Sequence, residues 1–287
     1  MSATGLFVPK IDERLWHDPF TPHGLRPRAG EAGDSFQIHE CGVLRLGPGW
    51  NYRGVRSPFW RLYHDQTPGA WIVSQGRRHL LDPGRVVLVP DGVAFDCGSR
   101  PGADHLWVHF SLYLSLTTAT AGVIEVPAGP AIRTVARELY RMIGRREADH
   151  AAHYCAGLLH LVFAGVGPEG FETVPLRLRK LFGWIRHSLA GEITNEHMAA
   201  QVGLSVEAFI RWFKAGTGRT PAAFVAERRI REACRQLTFS EESIEQIAEA
   251  VGFANRHHFS RVFKQYAGCG PARFRANGRR ADPAESI

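Results

Sequence analysis

A chain of 287 residues, 44% of them hydrophobic, is long enough to form two domains with separate cores. It shows no cleavable signal segment and no apolar run near the roughly 20 residues that cross a bilayer, which predicts a soluble, cytoplasmic protein without a membrane partner. Five cysteines are widely scattered, which argues against a zinc site or disulfide scaffold and predicts reduced thiols: Cys41, Cys97, Cys155, Cys234 and Cys269.

The net charge of +7 is unevenly distributed along the chain. Residues 1–174 contain 17 Lys and Arg against 17 Asp and Glu, whereas residues 175–287 contain 18 against 11. A basic module beside a neutral one indicates a polyanionic partner for the basic part, because phosphate neutralisation supplies most non-specific nucleic-acid affinity. A solvated basic surface is the alternative.

Short β-rich runs separated by Pro and Gly turns extend from about Phe36 to Leu114. Examples are Ala70–Ser74, Arg85–Val89 and His105–Ser111. Strands of this length and spacing predict a sandwich or a small barrel.

Helical periodicity replaces the strand pattern over residues 131–143 and 151–166. Each segment carries an apolar stripe, which predicts a homodimer through these helices, although packing onto the barrel would also cover the stripes. The breaker-rich stretch that follows predicts a linker. The expected organisation is an N-terminal domain with the dimerisation helices (1–168), a linker (169–175), a basic C-terminal domain (176–280) and a tail (281–287).

The basic module contains an internal repeat. Met198-Ala199, Val202 and Gly203 recur 49 residues later as Ile247-Ala248, Val251 and Gly252. The residues that recur 50 positions later are Ser205, Phe209, Arg211, Phe213, Lys214, Gly218, Pro221 and Phe224, repeated as Asn255, Phe259, Arg261, Phe263, Lys264, Gly268, Pro271 and Phe274. One structural unit therefore occurs twice, with one extra residue in the second turn.

Each copy has the pattern of a helix, a tight turn and a second helix. Gly203 and Gly252 end the first helix, where a left-handed backbone costs little only for glycine. Ser205 and Asn255 are N-cap residue types, and the two phenylalanines that follow each of them, four residues apart, turn one face inward. The repeat therefore predicts two helix-turn-helix units.

The outer face of each second helix is predicted to read DNA. In the first copy this face carries Glu207, Ile210, Arg211 and Lys214; in the second it carries Arg256, His257, Ser260, Arg261 and Lys264. Such a stripe fits a major groove of double-stranded DNA, with early side chains on base edges and later cations near phosphate. A solvated helix face is the alternative for either copy alone.

A long helix over residues 222–237 is expected to join the copies. A helix of that length spans roughly 24 Å, which can hold two second helices near the ~34 Å repeat of successive major grooves. Thr220-Pro221 and Gly270-Pro271 begin the helix that closes each copy, with proline at the first helical position.

Residues 176–280 resemble the AraC-type DNA-binding domain. The most specific stretch is Ile244-x-x-Ile247-Ala248-x-x-Val251-Gly252-Phe253, followed by Phe259–Lys264 and Gly268-x-x-Pro271-x-x-Phe274-Arg275. The resemblance implies a bacterial regulator, often an activator working with RNA polymerase, that binds asymmetric sites. Residues 36–165 resemble, less specifically, the cupin-like β-barrel with a helical dimerisation segment found in many members, which usually senses a sugar or another small-molecule effector. The resulting fold class is α+β with an all-α C-terminal domain.

Three departures from the family pattern bear on specificity. Gly270 stands where Ser or Thr usually precedes the proline, so that helix has a weaker cap. Glu207 and Ile210 occupy positions often held by polar or basic residues, and they are expected to contact a cytosine amino group and a thymine methyl. His257 is unusual as well, and is expected to be a contact.

The N-terminal domain offers aromatic faces and charged donors suited to a sugar or an acid. The candidate effector residues are Trp60, Arg61, Tyr63, His64, Trp71, Trp107 and His109. An aromatic barrel core is the alternative reading for each of them.

A catalytic N-terminal domain is the rival function. A metal-dependent cupin enzyme needs clustered histidines, but His105 and His109, four apart on a strand, would lie about 13 Å apart. No nucleophile motif is present, so a DNA-modifying enzyme would need a reactive thiol among Cys41, Cys97 and Cys155. The sequence therefore predicts a non-enzyme without metal or cofactor.

Overall fold

The structure is a computed structural model that describes Leu25 and residues 36–112, 116–117, 122–166, 172–173 and 175–280. The N-terminal part is built from strands followed by two helices, and the C-terminal part from helices. In chain order the strands are β1 (Phe36–Leu46), β2 (Tyr52–Val55), β3 (Trp60–Asp65), β4 (Ala70–Ser74), β5 (Arg77–Leu81), β6 (Arg85–Val89), β7 (Phe95–Ser99), β8 (Ala103–Leu112), β9 (Leu116–Thr117), β10 (Ile124–Pro127) and β11 (Glu172–Thr173).

The strands form two facing antiparallel sheets, of order β1-β8-β3-β6-β10 and β2-β7-β4-β5. One apolar cluster lies between the sheets and includes Tyr63, Ile72, Val87 and Phe95. The predicted combination of a sheet-rich domain and an all-α domain is confirmed, but these strands do not close into a single barrel. The apolar run of β6 is buried on both faces, because one face lies between the sheets and the other lies under the helices that follow.

Two helices, α1 (Pro130–Gly144) and α2 (Ala148–Ala164), cover the outer face of the five-stranded sheet. Their stripes, represented by Leu139 and Leu159, are fully buried in one cluster with strand residues such as Leu62 and Val108. The stripes that motivated the dimer prediction are thus covered by the chain's own sheet. Homodimerisation stays a prediction, but these stripes no longer support it.

The C-terminal domain contains α3 (Leu176–His187), α4 (Asn195–Gln201), α5 (Val206–Thr217), α6 (Pro221–Phe239), α7 (Ile244–Ala250), α8 (Arg256–Ala267) and α9 (Pro271–Arg280). We call α3–α5 with the start of α6 the first unit, and the rest of α6 with α7–α9 the second unit. Each has its own apolar cluster, centred on Phe209 and Phe213 in the first and on Phe259 and Phe263 in the second. Each copy of the sequence repeat therefore folds around an apolar core of its own.

The predicted linker falls only partly within the described residues. Its residues 172–173 form β11, which pairs with β9, while the predicted tail, 281–287, lies outside those residues. The domain boundaries remain predictions. None of the helices in the described ranges combines the length and apolarity needed to span a membrane.

Candidate nucleic-acid interface and sheet-domain interior

The two units repeat their geometry as well as their residue types. The rings of Phe209 and Phe213 have centroids 5.5 Å apart, and so do those of Phe259 and Phe263. Gly218 and Gly268 end α5 and α8 with left-handed φ angles of 70° and 74°. Because the same caps and ring contacts recur, α5 and α8 are held in equivalent ways, and we call them the reading helices.

Each reading helix begins at a side-chain cap. The Oγ of Ser205 accepts a hydrogen bond from the backbone N–H of Ala208 at 3.3 Å. The Oδ1 of Asn255 accepts two, from His257 at 2.7 Å and His258 at 3.2 Å. Both caps satisfy N–H groups that the helix itself leaves without a partner.

The residues predicted to read DNA lie on the outer faces of these helices. Seven are exposed: Glu207, Arg211 and Lys214 on α5, and Arg256, His257, Arg261 and Lys264 on α8. Two are half-buried: Ser260, and Ile210, which packs against the first unit's core. The contacts themselves stay predictions, and the half-buried Ser260 and Ile210 offer a base less surface than the exposed residues do.

The five cations of these faces differ from other arginines of the same domain. Within the described residues, Arg211, Lys214, Arg256, Arg261 and Lys264 make no ion pair or hydrogen bond through their side chains. By contrast, the Nε of Arg177 donates to the Val202 carbonyl at 2.9 Å, and Arg235 pairs with Glu232. Positive charge without a carboxylate partner is therefore available on both reading helices.

The space between the sheets holds a buried polar cluster around Arg61, whose side chain is almost completely buried. Its Nε donates to Ser57 Oγ at 2.8 Å, and its Nη1 donates to His109 Nε2 at 2.8 Å and to the Tyr63 hydroxyl at 3.3 Å. An arginine has only donors, so His109 Nε2 accepts. His109 Nδ1 then carries the proton and donates to Glu40 Oε2 at 3.2 Å.

A second polar pair lies on the same interior face. His105 Nδ1 and Asp65 Oδ1 are 2.6 Å apart, and Asp65 is fully buried. The His105 ring lies 5.0 Å from Trp50 and 6.0 Å from Trp107, with Tyr63 beside it at 4.9 Å. The interior thus combines flat aromatic surfaces with directed hydrogen-bonding groups.

The structure brings together four of the seven candidate effector residues: Arg61, Tyr63, Trp107 and His109 face the interior. The other three lie elsewhere. Trp60 belongs to the core beneath α1 and α2, and on that same side His64 Nδ1 donates to the Arg85 carbonyl at 3.0 Å. Trp71 stacks under Arg78 on the outer face of the four-stranded sheet. Successive side chains of β3 point to opposite faces of the sheet, which places Arg61 and Tyr63 in the interior and Trp60 and His64 on the other face.

The interior cluster includes residues that the sequence reasoning did not single out, namely Glu40, Asp65 and His105 as ligand-site candidates. Asp65 follows Arg61 and Tyr63 at the same period of two, so strand alternation could have found it. Glu40 could not be found this way, because a register irregularity between Ile38 and Glu40 shifts the face it occupies.

The two domains meet along α6. Arg231 forms an ion pair with Asp91 of the β6–β7 turn, and the Phe239 ring lies 5.3 Å from both His39 and Phe59. Phe59 in turn lies 5.0 Å from Arg61 Cζ and from the His109 ring. One aromatic side chain therefore touches both the interior cluster and the helix that joins the two units.

The thiols are poorly suited to catalysis. Burial raises the pKa of Cys97 to about 12 and the pKa of Cys155 well above its usual range, and Cys41 is fully buried. Cys97 and Cys155 therefore stay protonated at neutral pH and are weak nucleophiles. In the described part of the chain, no three His, Cys, Asp or Glu side chains are grouped so as to hold a metal ion.

Comparison with known proteins adds a family match over the repeat. A family model described as a helix-turn-helix domain matches residues 198–277. The MmsAB operon regulatory protein of Pseudomonas aeruginosa is 33% identical over 107 residues, which are 37% of this chain and 35% of that protein. The transcriptional activator RhaS of Enterobacter sp. strain 638 is 33% identical over 146 residues, which are 48% of this chain and 52% of that protein.

The curated relatives are thus matched over about a third to a half of their length. A longer match comes from a solved structure, ToxT of Vibrio cholerae, with a TM-score of 0.52 over 85% of this chain and 98% of that one. The sequence identity is 14%, so this likeness concerns the fold. It shows that a sheet-rich domain followed by this helical domain is a known two-domain arrangement.

Proposed function

Because the repeated helix-turn-helix domain makes this chain a member of the AraC family of transcriptional regulators, we propose that it is a sequence-specific regulator that binds double-stranded DNA through α5 and α8. Its sheet domain senses a small molecule and controls that binding. The regulator acts as an activator, as its relative RhaS does. A DNA-modifying enzyme is not supported, because the relatives are regulators and the thiols are buried.

This proposal rests on five positively charged side chains, on two equivalent helices, that make no ion pair or hydrogen bond within the described residues. A folded protein usually offsets clustered positive charge with nearby carboxylates, as the Arg231–Asp91 and Arg235–Glu232 pairs do elsewhere on α6. A surface that leaves the charge available on both repeats suits a polyanion with two equivalent grooves.

The residue roles follow from position along each helix. Arg211 and Arg261 occupy equivalent positions and are proposed to bind guanine edges, while Lys214 and Lys264, one turn later, bind phosphate. The neighbours that differ between the units, Glu207 with Ile210 and Arg256 with His257 and Ser260, would make the two half-sites different.

The proposed effector site is the interior cluster of Arg61, Tyr63, Trp107 and His109. Buried donors beside aromatic faces suit a sugar or a similar polar molecule, which would exchange some of the present hydrogen bonds for its own. RNA polymerase and a second copy of the chain are the remaining proposed partners.

The DNA-binding proposal is tested by site selection with the full-length protein from a random duplex library, followed by affinity measurements at several salt concentrations. We expect a site with two half-sites about one helical turn apart, and an affinity that falls steeply with salt. Recovery of no enriched sequence, or binding that is independent of salt, would contradict the proposal.

The effector proposal is tested by thermal-shift screening of the full-length protein against sugars and organic acids. A ligand present at about 100 times its Kd should stabilise the folded protein by about 2.7 kcal/mol, which is readily visible as a higher Tm. Trp107→Phe and Tyr63→Phe should reduce the shift, whereas Trp71→Phe, on the outer face, should preserve it. A shift that survives both interior changes would place the ligand elsewhere.

A further inference from the structure

Arg229 on α6 binds the first unit through two backbone carbonyls. Its Nε donates to the Leu189 carbonyl at 3.1 Å and its Nη2 donates to the Gly191 carbonyl at 2.6 Å. Both carbonyls lie in the segment between α3 and α4. The planar guanidinium thus anchors that segment with two donors of fixed geometry, an arrangement that lysine cannot reproduce.

The same guanidinium packs against the second unit. Its Cζ lies 5.8 Å from the centre of the Phe253 ring. Gly252, in the turn between α7 and α8, approaches so closely that a Cβ there would clash with the Leu189 carbonyl oxygen and would lie 2.8 Å from Arg229 Cζ. Glycine is therefore required by this contact as well as by its φ of 83°. We call this three-way contact the junction.

A second brace joins the second reading helix to the part of α6 that packs in the first unit. The Tyr266 hydroxyl on α8 donates to the Ala223 carbonyl at 3.2 Å. Ala223 lies on the first turn of α6, beside Phe224 and Val225, which pack against the first unit's core. The second unit is therefore tied to α6 at two places, through Tyr266 at Ala223 and through Phe253 at Arg229.

These contacts bear on the position of one reading helix relative to the other, which neither apolar core fixes alone. Each reading helix is held in its own apolar cluster, so the placement of one helix relative to the other depends on α6 and on what braces it. On DNA, moving one half-site by one base pair shifts it by roughly 3.4 Å along the axis and rotates it about the axis by about a tenth of a turn. A rigid pair of helices cannot follow such a change without losing contacts.

We propose that Arg229, with Gly252 and Tyr266, sets the distance between the two half-sites that the protein accepts. This rests on the proposed DNA-binding function and adds to it a specificity-determining residue that contacts no base. The junction selects spacing, whereas the outer faces of α5 and α8 select sequence.

The experiment uses the full-length protein and a panel of duplexes that carry its selected half-sites at spacings one and two base pairs shorter and longer than the best one. For the native protein we expect a loss of about tenfold or more in affinity one base pair from the best spacing, equivalent to about 1.4 kcal/mol. In Arg229→Ala and Arg229→Lys the loss should fall to about threefold or less, with the base preference within each half-site unchanged. Tyr266→Phe should produce a smaller change in the same direction.

Lys214→Ala is the matched control, since it also removes one positive charge. It should weaken binding at every spacing by the same factor and leave the ratio between spacings unchanged. The thermal unfolding midpoint of each variant identifies any that does not fold, and Arg229→Lys or Tyr266→Phe then replaces it.

The outcomes separate the two proposals. If the native protein selects no DNA, the proposed function itself fails. If the native protein binds but accepts all spacings equally, or if Arg229→Lys and Tyr266→Phe fold and keep the native spacing ratio, the junction proposal is wrong while DNA binding stands. A uniform loss of affinity in the Arg229 variants would likewise show a structural role only.

Discussion

The two helix-turn-helix units share their interiors and differ on their surfaces. Phe213 meets Phe224 with ring centroids 5.3 Å apart and planes at 80°, and Phe263 meets Phe274 at 5.4 Å and 81°. The outer faces have diverged at the same time, because Glu207 and Ile210 of the first unit are matched by no similar residue in the second. The two units therefore share the core residues that position the reading helix and differ in the outer-face residues predicted to contact DNA.

The units also differ in how their helices begin. In the second unit, α7 has a reciprocal capping box between Ser243 and Gln246, and α8 has the doubly bonded Asn255. In the first unit, α4 and α5 each have a single side-chain cap bond, from Thr194 and Ser205. The second unit therefore satisfies more of its free N–H groups through side chains.

The largest expected effect concerns the separate cores. Phe209→Ala and Phe259→Ala should each lower the free energy of unfolding by about 3 to 5 kcal/mol, because each removes a fully buried ring. Amide hydrogen exchange should rise mainly in the first unit for the former and in the second for the latter. Leu176→Ala, at an exposed site, is the control and should change little. Equal exchange changes across both units in either variant would show that the cores act as one.

An intermediate effect is expected on the outer faces. Arg211→Ala and Arg261→Ala should each relax base preference at one or two positions, in different half-sites, because a bidentate arginine–guanine contact contributes about 1 to 3 kcal/mol of discrimination. Lys214→Ala should instead weaken binding to all sequences and reduce the salt dependence by about one counterion. Binding-site selection on the three variants makes the comparison.

A different result would reassign these arginines. If both arginine variants lose affinity uniformly and keep the native base preference, Arg211 and Arg261 bind phosphate. Specificity would then have to come from the neighbouring residues that differ between the units: Glu207, Ile210, Arg256 and His257.

The smallest effect concerns the helix caps. Asn255→Ala should cost about 1 to 2 kcal/mol of stability and Ser205→Ala about 0.5 to 1 kcal/mol, since Asn255 satisfies two N–H groups and Ser205 one. Urea unfolding of the full-length variants measures both. Asn255→Ser, which keeps a capping hydroxyl, should fall between the native protein and Asn255→Ala. The reverse order, with Ser205 the more costly, would show that side-chain capping does not distinguish the units.

The helical domain could be predicted from the sequence because its turn and cap signals act between residues close together in the chain. The left-handed glycines at 203, 218, 252 and 268 and the capping residues Ser205 and Asn255 act within a few residues of themselves, and the repeat doubles each signal. The sheet domain was less readable. Its residue types predicted Arg61, Tyr63, Trp107 and His109 as effector residues together with Trp60, His64 and Trp71, and the sequence did not separate the two sets, because both faces of β3 are buried.

The sequence by itself determined the repeated units, their outer faces and the sheet-rich character of the first domain, because periodicity, capping and turn chemistry are local properties of the chain. The tertiary structure decided that the stripes of α1 and α2 cover a sheet, that the strands form two layers, and that Glu40 joins His109 and Arg61 inside them. It alone also brought Arg229 to Leu189 and Gly252. These contacts join residues tens of positions apart, and which of them meet depends on how whole layers pack, which no local pattern specifies.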